Sequence, residues 1–363
     1  MAMDIDGWQV VRRLSMSAIA EVFLVRSKGE SPLRVLKRLL PMYSDEGELA
    51  EIFHREAALG PHLAHPNLPR VLASGDHDGA PYIVLEHIRG VPIARFMNEM
   101  SKPLPPAIAL SVFRDVVDAL SHLYALRSKD GKPLVIAHRD VTPGNVLLAD
   151  DGRAVLIDFG LVAGAVSRLE TASNVVKATW RYAAPEQLDG GAVSSAFDVY
   201  ALGTLLHLML SGSRPFAGAN DPDEILHAKK TELLSCDGLE EKFQRLISLC
   251  THVDPLQRPA MPEGLVAEIQ DFQFAPRSEI VELVRGPIAD VEREDRRIAA
   301  EKRVPLSAEQ KGEDVTDPLH TEDITDVAEL RAPEQDSPPA YLGVWALVMV
   351  GLLLAVLIFR ALG

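Results

Sequence analysis

The sequence predicts an α+β fold of two lobes, in which a small β-rich lobe precedes a mostly helical one, followed by a disordered tether and a transmembrane helix. Three observations support this prediction. Short runs rich in β-branched residues alternate with turns over residues 8–88, long helical periodicities dominate residues 89–274, and residues 341–359 carry no charge. The boundaries between regions lie where these patterns change.

Composition restricts the classes of function open to this chain. Its 363 residues suffice for one large two-lobed domain with a sizeable apolar core. The net charge of -15 argues against binding to nucleic acid, which needs a surplus of Lys and Arg. Two cysteines, Cys236 and Cys250, are too few for a disulfide framework and too far apart for a CxxC site. We therefore expect buried thiols, a reducing compartment and no nucleic-acid partner.

Residues 8–88 have the pattern of a small sheet with one helix. The strand candidates are WQVVRRL, EVFLVRS, LRVLKRLL, RVLASGD and PYIVLEHI. A helical pattern occupies residues 48–59, between the third and fourth candidates. We assign this region to the N-terminal lobe.

Residues 89–274 are predominantly helical, with periodic stretches such as AIALSVFRDVVDALSHLYAL and FDVYALGTLLHLMLSG. Two short strand candidates, NVLLAD and AVLIDF, interrupt the helical pattern. They are joined by Asp150, Asp151 and Gly152, which favour a turn. We assign this region to the C-terminal lobe.

Residues 275–340 are expected to form a charged, mostly disordered tether. Between Glu301 and Ala340 the chain has eleven Asp or Glu residues against four Lys or Arg residues. Low hydrophobicity with excess charge does not support a packed core, although REDRRIAAEKR is compatible with one or two helical turns.

Residues 341–359 predict a single transmembrane helix. The run YLGVWALVMVGLLLAVLIF has 19 uncharged residues, which at about 1.5 Å per residue span roughly the 30 Å of a bilayer core. The alternative is a buried C-terminal helix, which would normally have a polar face. No secretory signal precedes the first lobe. We therefore expect a single-pass protein of the cell membrane whose large domain is cytoplasmic.

Several short motifs follow one another in a fixed order along the two lobes. Lys37 lies in a strand candidate and Glu56 in the helical pattern, and then come HRDVTPGN, LIDFG, AAPEQ, FDVYALG and DPLQRP. Each motif alone is usually an ordinary surface or loop feature. As an ordered set they closely resemble the eukaryotic-type serine/threonine protein kinase family, in particular its bacterial, membrane-anchored members, over residues 8–274. The resemblance implies a bilobal protein-kinase-like fold with ATP between the lobes.

The resemblance also implies a role for each polar residue of the cleft in phosphoryl transfer from ATP. Lys37 would hold the α- and β-phosphates, and Glu56 would hold Lys37 through an ion pair. Asp158 and Asn145 would bind Mg²⁺, a hard cation that prefers oxygen ligands. Asp140 would orient the hydroxyl of a protein substrate and accept its proton.

Two further residues are implied in catalysis and its control. Arg139 would pair with a phosphate group on an activation segment, since guanidinium and phosphate form strong paired hydrogen bonds. Thr179, which precedes WRYAAPE, matches the family's threonine that contacts the catalytic loop and helps to select serine or threonine acceptors. Three residues are implied as scaffold: Glu186, Arg258 and Asp198.

The same resemblance places the nucleotide against the first lobe and against the hinge, which is formed by residues 86–88 and preceded by Leu85. The residues implied at the nucleotide are Ser15, Ser17, Ala20, Val22, Val35, Lys37, Glu86, Ile88 and Leu147.

Three features depart from the family pattern. Ser15, Ser17 and Ala20 occupy the places of loop glycines, where a positive φ would cost about 1 to 2 kcal/mol per residue. The alternative is a different loop conformation in which a serine hydroxyl donates to a phosphate oxygen. Val35 replaces a smaller alanine, and Thr142 replaces a lysine that would neutralise transition-state charge. Two functions stay open: a kinase of reduced activity, and a weak or inactive pseudokinase scaffold.

The expected partners are ATP, protein substrates and the membrane. Thr316, Thr321 and Thr325 in the acidic tether are candidate phosphorylation sites for a phosphothreonine-binding partner. The alternative for this segment is a solvating spacer. The sequence leaves open whether the chain forms a homodimer.

Overall fold

A computed structural model describes residues 3–17, 19–27, 32–43, 47–158 and 180–301. These residues belong to the first of two compact units, 1–323, and the second unit, 324–363, lies outside the described residues. The predicted transmembrane segment 341–359 and the tether beyond residue 301 therefore also lie outside them. Within the described ranges, no helix has the length and apolar character needed to cross a membrane.

The first lobe is built on an antiparallel sheet of six strands in the order β1-β2-β3-β4-β6-β5. Its strands are β1 Asp4–Ile5, β2 Trp8–Met16, β3 Ala20–Ser27, β4 Arg34–Leu39, β5 Val71–His77 and β6 Ala80–Glu86. One helix, α1 (Gly47–Leu59), contacts β6. All five strand candidates and the helix form as expected, whereas β1 is too short to leave a pattern in the sequence.

The two faces of this sheet carry different side chains because neighbouring residues of a strand point to opposite sides. On one face Phe23, Leu36 and Val84 pack into a small core with Ile5 of β1. On the other face Lys37, paired in register with Val22 and Ile83, looks toward α1. Because of this alternation, the Lys37 side chain projects from the sheet toward α1.

The second lobe is mostly helical and contributes most of the main apolar core, which continues into the first lobe. Its helices are α2 Ile93–Met100, α3 Pro106–Ala125, α4 Pro185–Leu188, α5 Ala196–Ser211, α6 Pro222–Thr231, α7 Glu241–Cys250, α8 Glu263–Ile269 and α9 Arg277–Glu301. Every residue from Phe197 to Leu210 is buried, so α5 is the central helix of the lobe. Cys250 is buried as expected, and Cys236 is half-buried.

A small three-stranded sheet carries the candidate site residues of the second lobe. Its strands are β7 Gly90–Pro92, β8 Val146–Ala149 and β9 Ala154–Leu156, in the order β7-β8-β9. Gly152 adopts a φ of 83° in the turn between β8 and β9, where a residue with a side chain would be strained. The predicted hairpin therefore forms. Its open end places the beginning of β8 beside the end of β9.

The beginning of the predicted tether is a helix. Residues 277–301 form α9, in which Ile280, Val284 and Ile288 are buried, and α9 contacts β7 and β8. These three residues are spaced at four-residue intervals and form one apolar stripe, which the excess of charge in the surrounding window conceals. The expectation of a tether from residue 275 is therefore corrected for residues 277–301.

Candidate active site

Lys37 of β4 lies between two carboxylates that come from different parts of the fold. Its Nζ is 3.1 Å from Glu56 Oε1 of α1 and 2.8 Å from Asp158 Oδ1, which follows β9. Lys37 is 7% exposed and Glu56 is 1% exposed, so little water screens these charges. The structure thus brings together three residues that are up to 121 positions apart in the chain.

The charges around Lys37 keep it protonated. Burial alone would lower the pKa of Lys37, but the negative charges of Asp158 and Glu56 raise it above its usual value. The side chain is therefore a fixed cation at the back of the cleft, available to negatively charged groups of a ligand.

Asp140 and Asn145 form the second part of the site, on the loop before β8. Asn145 Nδ2 donates to Asp140 Oδ2 at 2.7 Å and to the Asp140 backbone carbonyl at 3.0 Å. Burial and the nearby Asp158 carboxylate raise the pKa of Asp140 to about 7. A carboxylate with a pKa near neutrality suits acceptance of a proton from a hydroxyl group.

Asp198 of α5 fixes the backbone of the loop that carries Asp140. The carboxylate of Asp198, which is fully buried, accepts hydrogen bonds from the backbone N–H groups of His138 at 2.5 Å and Arg139 at 2.7 Å. The hydroxyl of Tyr124 donates to the same carboxylate. Arg139 has a φ of 72°, a conformation that costs a residue with a side chain about 1 to 3 kcal/mol. Asp198 therefore stabilises a strained backbone immediately before Asp140.

Asn145 and Asp158 are suited to hold Mg²⁺. The backbone N–H of Ile157 donates to the carbonyl of Asn145 at 2.9 Å, which places Asp158 beside Asn145. The Asn145 amide nitrogen is engaged by Asp140, and within the described part of the chain its side-chain oxygen accepts no hydrogen bond. A carboxylate and an amide oxygen are ligands that a hard divalent cation prefers. These donors fit the ion that the resemblance implies.

The structure gives the strand positions and the exposure of the residues implied at the base of the nucleotide, whose role in binding stays a prediction. Val22 lies opposite Lys37 on β3, and Val35 lies opposite Leu85 on β6. Leu147 of β8, in the second lobe, is 8% exposed. The hinge residues Glu86, His87 and Ile88 are half-buried. The backbone N–H of Glu86 donates to the Arg70 carbonyl at 2.9 Å.

Ser15, Ser17 and Ala20, on either side of the turn between β2 and β3, have backbone conformations that do not need glycine. Ser15, Ser17 and Ala20 are absent from the positive-φ residues of the described chain, so the expected strain at these positions is not present. Ser17 closes the turn, because its hydroxyl donates to the Ala20 carbonyl at 3.1 Å and accepts from the Ala20 N–H at 3.1 Å. The Ser17 proton is thus engaged within the loop, and donation of a Ser15 or Ser17 hydroxyl to a phosphate oxygen stays a prediction.

Arg139 and Thr179 are the remaining predicted catalytic residues. Arg139 is half-buried, its backbone carbonyl accepts from Gln187 Nε2 at 2.9 Å, and burial lowers the pKa of its side chain. Thr179 lies outside the described residues. The scaffold pair forms: Arg258 donates to both carboxylate oxygens of Glu186, at 2.6 and 2.9 Å.

Sequence reasoning missed two residues that support the catalytic loop. Tyr124 reaches Asp198 from α3, and Gln187 reaches the Arg139 carbonyl from α4. Neither belongs to a motif with characteristic spacing. The position of Gln187 directly after the glutamate of AAPEQ is the one signal that could have directed attention to it.

Comparison with known proteins gives the same result as the geometry. The family model for the protein kinase domain matches residues 8–268. Among curated proteins, the tyrosine-protein kinase MasK of Myxococcus xanthus is 34% identical over 58% of this chain and 34% of its own length. The serine/threonine-protein kinase PrkC of Bacillus subtilis is 28% identical over 74% of this chain and 41% of its own length. The serine/threonine-protein kinase PknF of Mycobacterium tuberculosis is 33% identical over 59% of this chain and 44% of its own length.

A solved structure shares the fold. The kinase domain of PknI from Mycobacterium tuberculosis superimposes with a TM-score of 0.54 and 25% sequence identity, and the match covers 74% of this chain and 97% of that one. The chain spans less than half the length of the three curated relatives described above. The match to the family model covers well over half of the chain. The chain belongs to the eukaryotic-type serine/threonine protein kinase family.

Proposed function

We propose that this chain transfers the γ-phosphoryl group of ATP to serine and threonine hydroxyls of proteins, with Mg²⁺ as cofactor. The observation that carries the proposal is the burial of Lys37 between Glu56 and Asp158. A charge cluster in which Lys37 and Glu56 are buried contributes little to stability, because removing these charges from water costs as much as their attraction returns. Binding of phosphates and a divalent cation would explain why Lys37 lies between Glu56 and Asp158.

In this mechanism each residue has a task that its surroundings support. Lys37, fixed by Glu56, aligns the phosphates. Asp140 accepts the proton of the acceptor hydroxyl. At the same time the oxygen of that hydroxyl forms a bond to the γ-phosphorus, and the bond between the γ-phosphorus and the ADP oxygen breaks. Asn145 and Asp158 would hold Mg²⁺, which would supply positive charge to neutralise the phosphates. The chain's own contribution is therefore alignment and proton acceptance.

The test of this function is transfer of label from γ-labelled ATP, with Mg²⁺, to the full-length chain and to a generic basic protein. We expect transfer by the wild-type chain and none by Asp140→Asn. Asp130→Asn is the matched control, since Asp130 is an exposed aspartate in a loop, and it should transfer normally. Phosphoamino acid analysis identifies the acceptor: phosphoserine and phosphothreonine agree with the proposal, whereas phosphotyrosine alone contradicts it.

The second candidate is a catalytically weak or inactive scaffold. It is favoured by the loop between β2 and β3, in which Ser17 uses its hydroxyl proton on Ala20, and by Thr142 in place of a lysine. Absence of label from a folded wild-type chain that binds ATP would support the scaffold and overturn the kinase. Label that Asp140→Asn abolishes would exclude it.

We further propose that residues 341–359 anchor the protein in the cell membrane with the kinase domain in the cytoplasm. The support is the uncharged 19-residue run and the acidic segment that precedes it. Cell fractionation of the full-length chain beside a chain that lacks residues 341–359 tests the anchor. Recovery of both chains in the soluble fraction would contradict it.

The acidic segment between the domain and the anchor offers a site for a protein partner. Autophosphorylation at Thr316, Thr321 or Thr325 would create a phosphothreonine in acidic surroundings for a binding partner to recognise. Phosphopeptide mapping after incubation with ATP tests this, and absence of label between residues 314 and 327 would remove the idea. A homodimer stays a prediction for size-exclusion measurements of the full-length chain.

A further inference from the structure

Arg89, which directly follows the predicted hinge, bonds to carboxylates through all three nitrogens of its guanidinium group. Its Nε and Nη2 donate to Glu292 Oε1 at 3.0 and 2.6 Å, and its Nη1 lies 3.0 Å from Asp150 Oδ2. The Arg89 carbonyl also accepts a hydrogen bond from the Asp150 backbone N–H at 2.9 Å. The end of the hinge is therefore fixed by one carboxylate of the β8–β9 turn and by one of α9.

The pair between Arg89 and Glu292 joins distant parts of the chain. The two residues are 203 positions apart. Glu292 belongs to α9, which begins after the residues 8–268 that match the protein kinase domain. The catalytic motifs of the family therefore do not account for this contact, and its role has to be inferred from the structure of this chain.

The first half of α9 is anchored to the second lobe. Ile280 and Val284 are fully buried in the main apolar core, and Arg277 pairs with Asp115 of α3. From Arg277 the helix carries Glu292 over roughly 22 Å, at about 1.5 Å per residue. The helix contacts β7 and β8, which follow the hinge, and β2, which precedes it. α9 is therefore a support that reaches past the hinge from the second lobe.

Pro287 divides this helix into two halves. A proline inside a helix has no N–H to donate to the carbonyl four residues earlier, so the helix is weakened at that point. In the half that follows, residues 288–301, Glu292 pairs with Arg89, and Glu294 Oε2 lies 2.9 Å from Arg95 Nη1 of α2. Two ion pairs thus hold the weakened half against the part of the second lobe next to the hinge.

The space between α9 and the end of the hinge is incompletely packed. A surface cavity of about 270 Å³ lies there, with Arg89 and Asp150 on one side and Ile288 and Glu292 of α9 on the other. Where side chains are close-packed, their contacts fix the distance between two elements. Beside this cavity such contacts are fewer, so the ion pair of Glu292 has the larger part in fixing α9 relative to Arg89.

We propose that Glu292 is a positioning residue for the nucleotide: through Arg89 it fixes the end of the hinge against which ATP binds. The resemblance implies Glu86 and Ile88 at the nucleotide, and a displacement of Arg89 moves the backbone of Ile88 with it. A guanidinium that bonds to two carboxylates is the kind of network in which a partly exposed ion pair has a measurable effect. The inference rests on the ATP-binding part of the proposed function and does not depend on phosphoryl transfer.

The experiment measures the Kd of ATP with Mg²⁺ by calorimetry, together with steady-state kinetics, on the full-length chain. We expect Glu292→Gln to raise the Kd and the KM for ATP about threefold, which is the size of effect of a partly exposed ion pair. Glu292→Lys places a like charge beside Arg89, so the rise should be about tenfold. In both variants kcat and the KM for a protein acceptor should not change. Glu282→Gln is the matched control, since Glu282 is exposed on α9 and pairs with Arg285 of the same helix, and its Kd should equal that of the wild type.

A double-mutant cycle tests whether Glu292 acts through Arg89. In a chain that carries Arg89→Met, Glu292→Gln should have no further effect on the Kd of ATP, because the partner has already been removed. Hydrogen exchange of the wild-type chain gives a second measurement. If α9 favours ATP binding, ATP must in turn favour the bound position of α9, so it should slow amide exchange in residues 288–301.

The remaining outcomes overturn the inference. They are an unchanged Kd in Glu292→Gln, an equal rise in Glu282→Gln, and a further rise when Glu292→Gln is added to Arg89→Met. If the Glu292 variants do not fold, exchange in residues 288–301 of the wild-type chain that is the same with and without ATP overturns it instead. A chain that binds ATP with the expected dependence on Glu292 and transfers no phosphate would contradict the proposed kinase function and leave this inference standing. A folded wild-type chain that does not bind ATP would contradict both.

Discussion

Arg277 and Asp115 form a two-pronged ion pair that ties the first turn of α9 to the centre of α3. Arg277 Nη2 is 2.6 Å from Asp115 Oδ1, and Nη1 donates to Asp115 Oδ2 and to the Gly152 carbonyl. Asp115, which is 1% exposed, also accepts from the Ala154 N–H at 2.8 Å. The helix at the end of the domain is thus connected to the β8–β9 hairpin that carries Asn145 and leads to Asp158.

We expect Arg277→Met to lower the free energy of unfolding by about 2 kcal/mol. This lies between the value for an exposed pair and that for a fully buried one, because the Arg277 side chain is 40% exposed while that of Asp115 is 2% exposed. Chemical denaturation measures the change. Arg285→Met is the control, since that side chain is 71% exposed and its ion pair with Glu282 lies within α9. Equal losses of unfolding free energy in the two variants would show that the Arg277–Asp115 pair stabilises the domain no more than an exposed pair does.

Removal of α9 should destabilise the whole domain. A chain that ends at residue 276 loses Ile280, Val284 and Ile288, which are 0%, 0% and 6% exposed. Burial of three such side chains is worth on the order of 5 kcal/mol, which is comparable to the total stability of many domains. We expect a chain ending at residue 276 to melt at a lower temperature than one ending at residue 301. Equal melting temperatures would mean that α9 is an addition to a domain that is already complete.

Substitutions of the charged cluster should differ in severity. Lys37→Met leaves the buried Glu56 and the partly exposed Asp158 without their shared cation, so we expect kcat/KM for phosphoryl transfer to fall about 100-fold or more. Glu56→Gln removes only one of the two partners of Lys37, and we expect a loss of about tenfold, in keeping with one charged hydrogen bond. Circular dichroism establishes that both variants are folded. If Glu56→Gln is as inactive as Lys37→Met, Glu56 does more than hold the lysine.

The sequence predicts those parts of the fold and site that leave a local pattern. Alternation in β3 and β4 indicates which way Lys37 points, and the short motifs around Asp140 and Asp158 fix the order of the cleft residues. The Tyr124–Asp198 and Lys229–Ala183 contacts join residues that are 74 and 46 positions apart and have no spacing in common. Only the packing of helices around α5 brings such residues together, so no local pattern predicts them.

The helix α9 was missed for a different reason. Nearly half of its residues are charged, and an average over the segment conceals three apolar residues at four-residue intervals. A test for periodicity rather than for mean composition would have separated this helix from the acidic chain that follows it. The bonds of Arg277 at its first turn have no such signal, because their acceptors lie on α3 and on the β8–β9 turn.

Restoring a glycine in the loop between β2 and β3 should weaken ATP binding. Ser17 does not have a positive φ, so glycine offers it no relief of strain, and Ser17→Gly loses both bonds of the hydroxyl to Ala20. Loss of hydrogen bonds worth about 0.5 to 1.5 kcal/mol corresponds to a rise in the KM for ATP of roughly 2- to 10-fold. Glycine also makes the unbound loop more flexible, which acts in the same direction. Steady-state kinetics with ATP and a protein acceptor measure this, and the KM for the acceptor should not change. A fall in the KM for ATP would instead show that the bound loop takes the positive-φ conformation for which glycine is suited, and that the turn closed by Ser17 opens when the nucleotide enters.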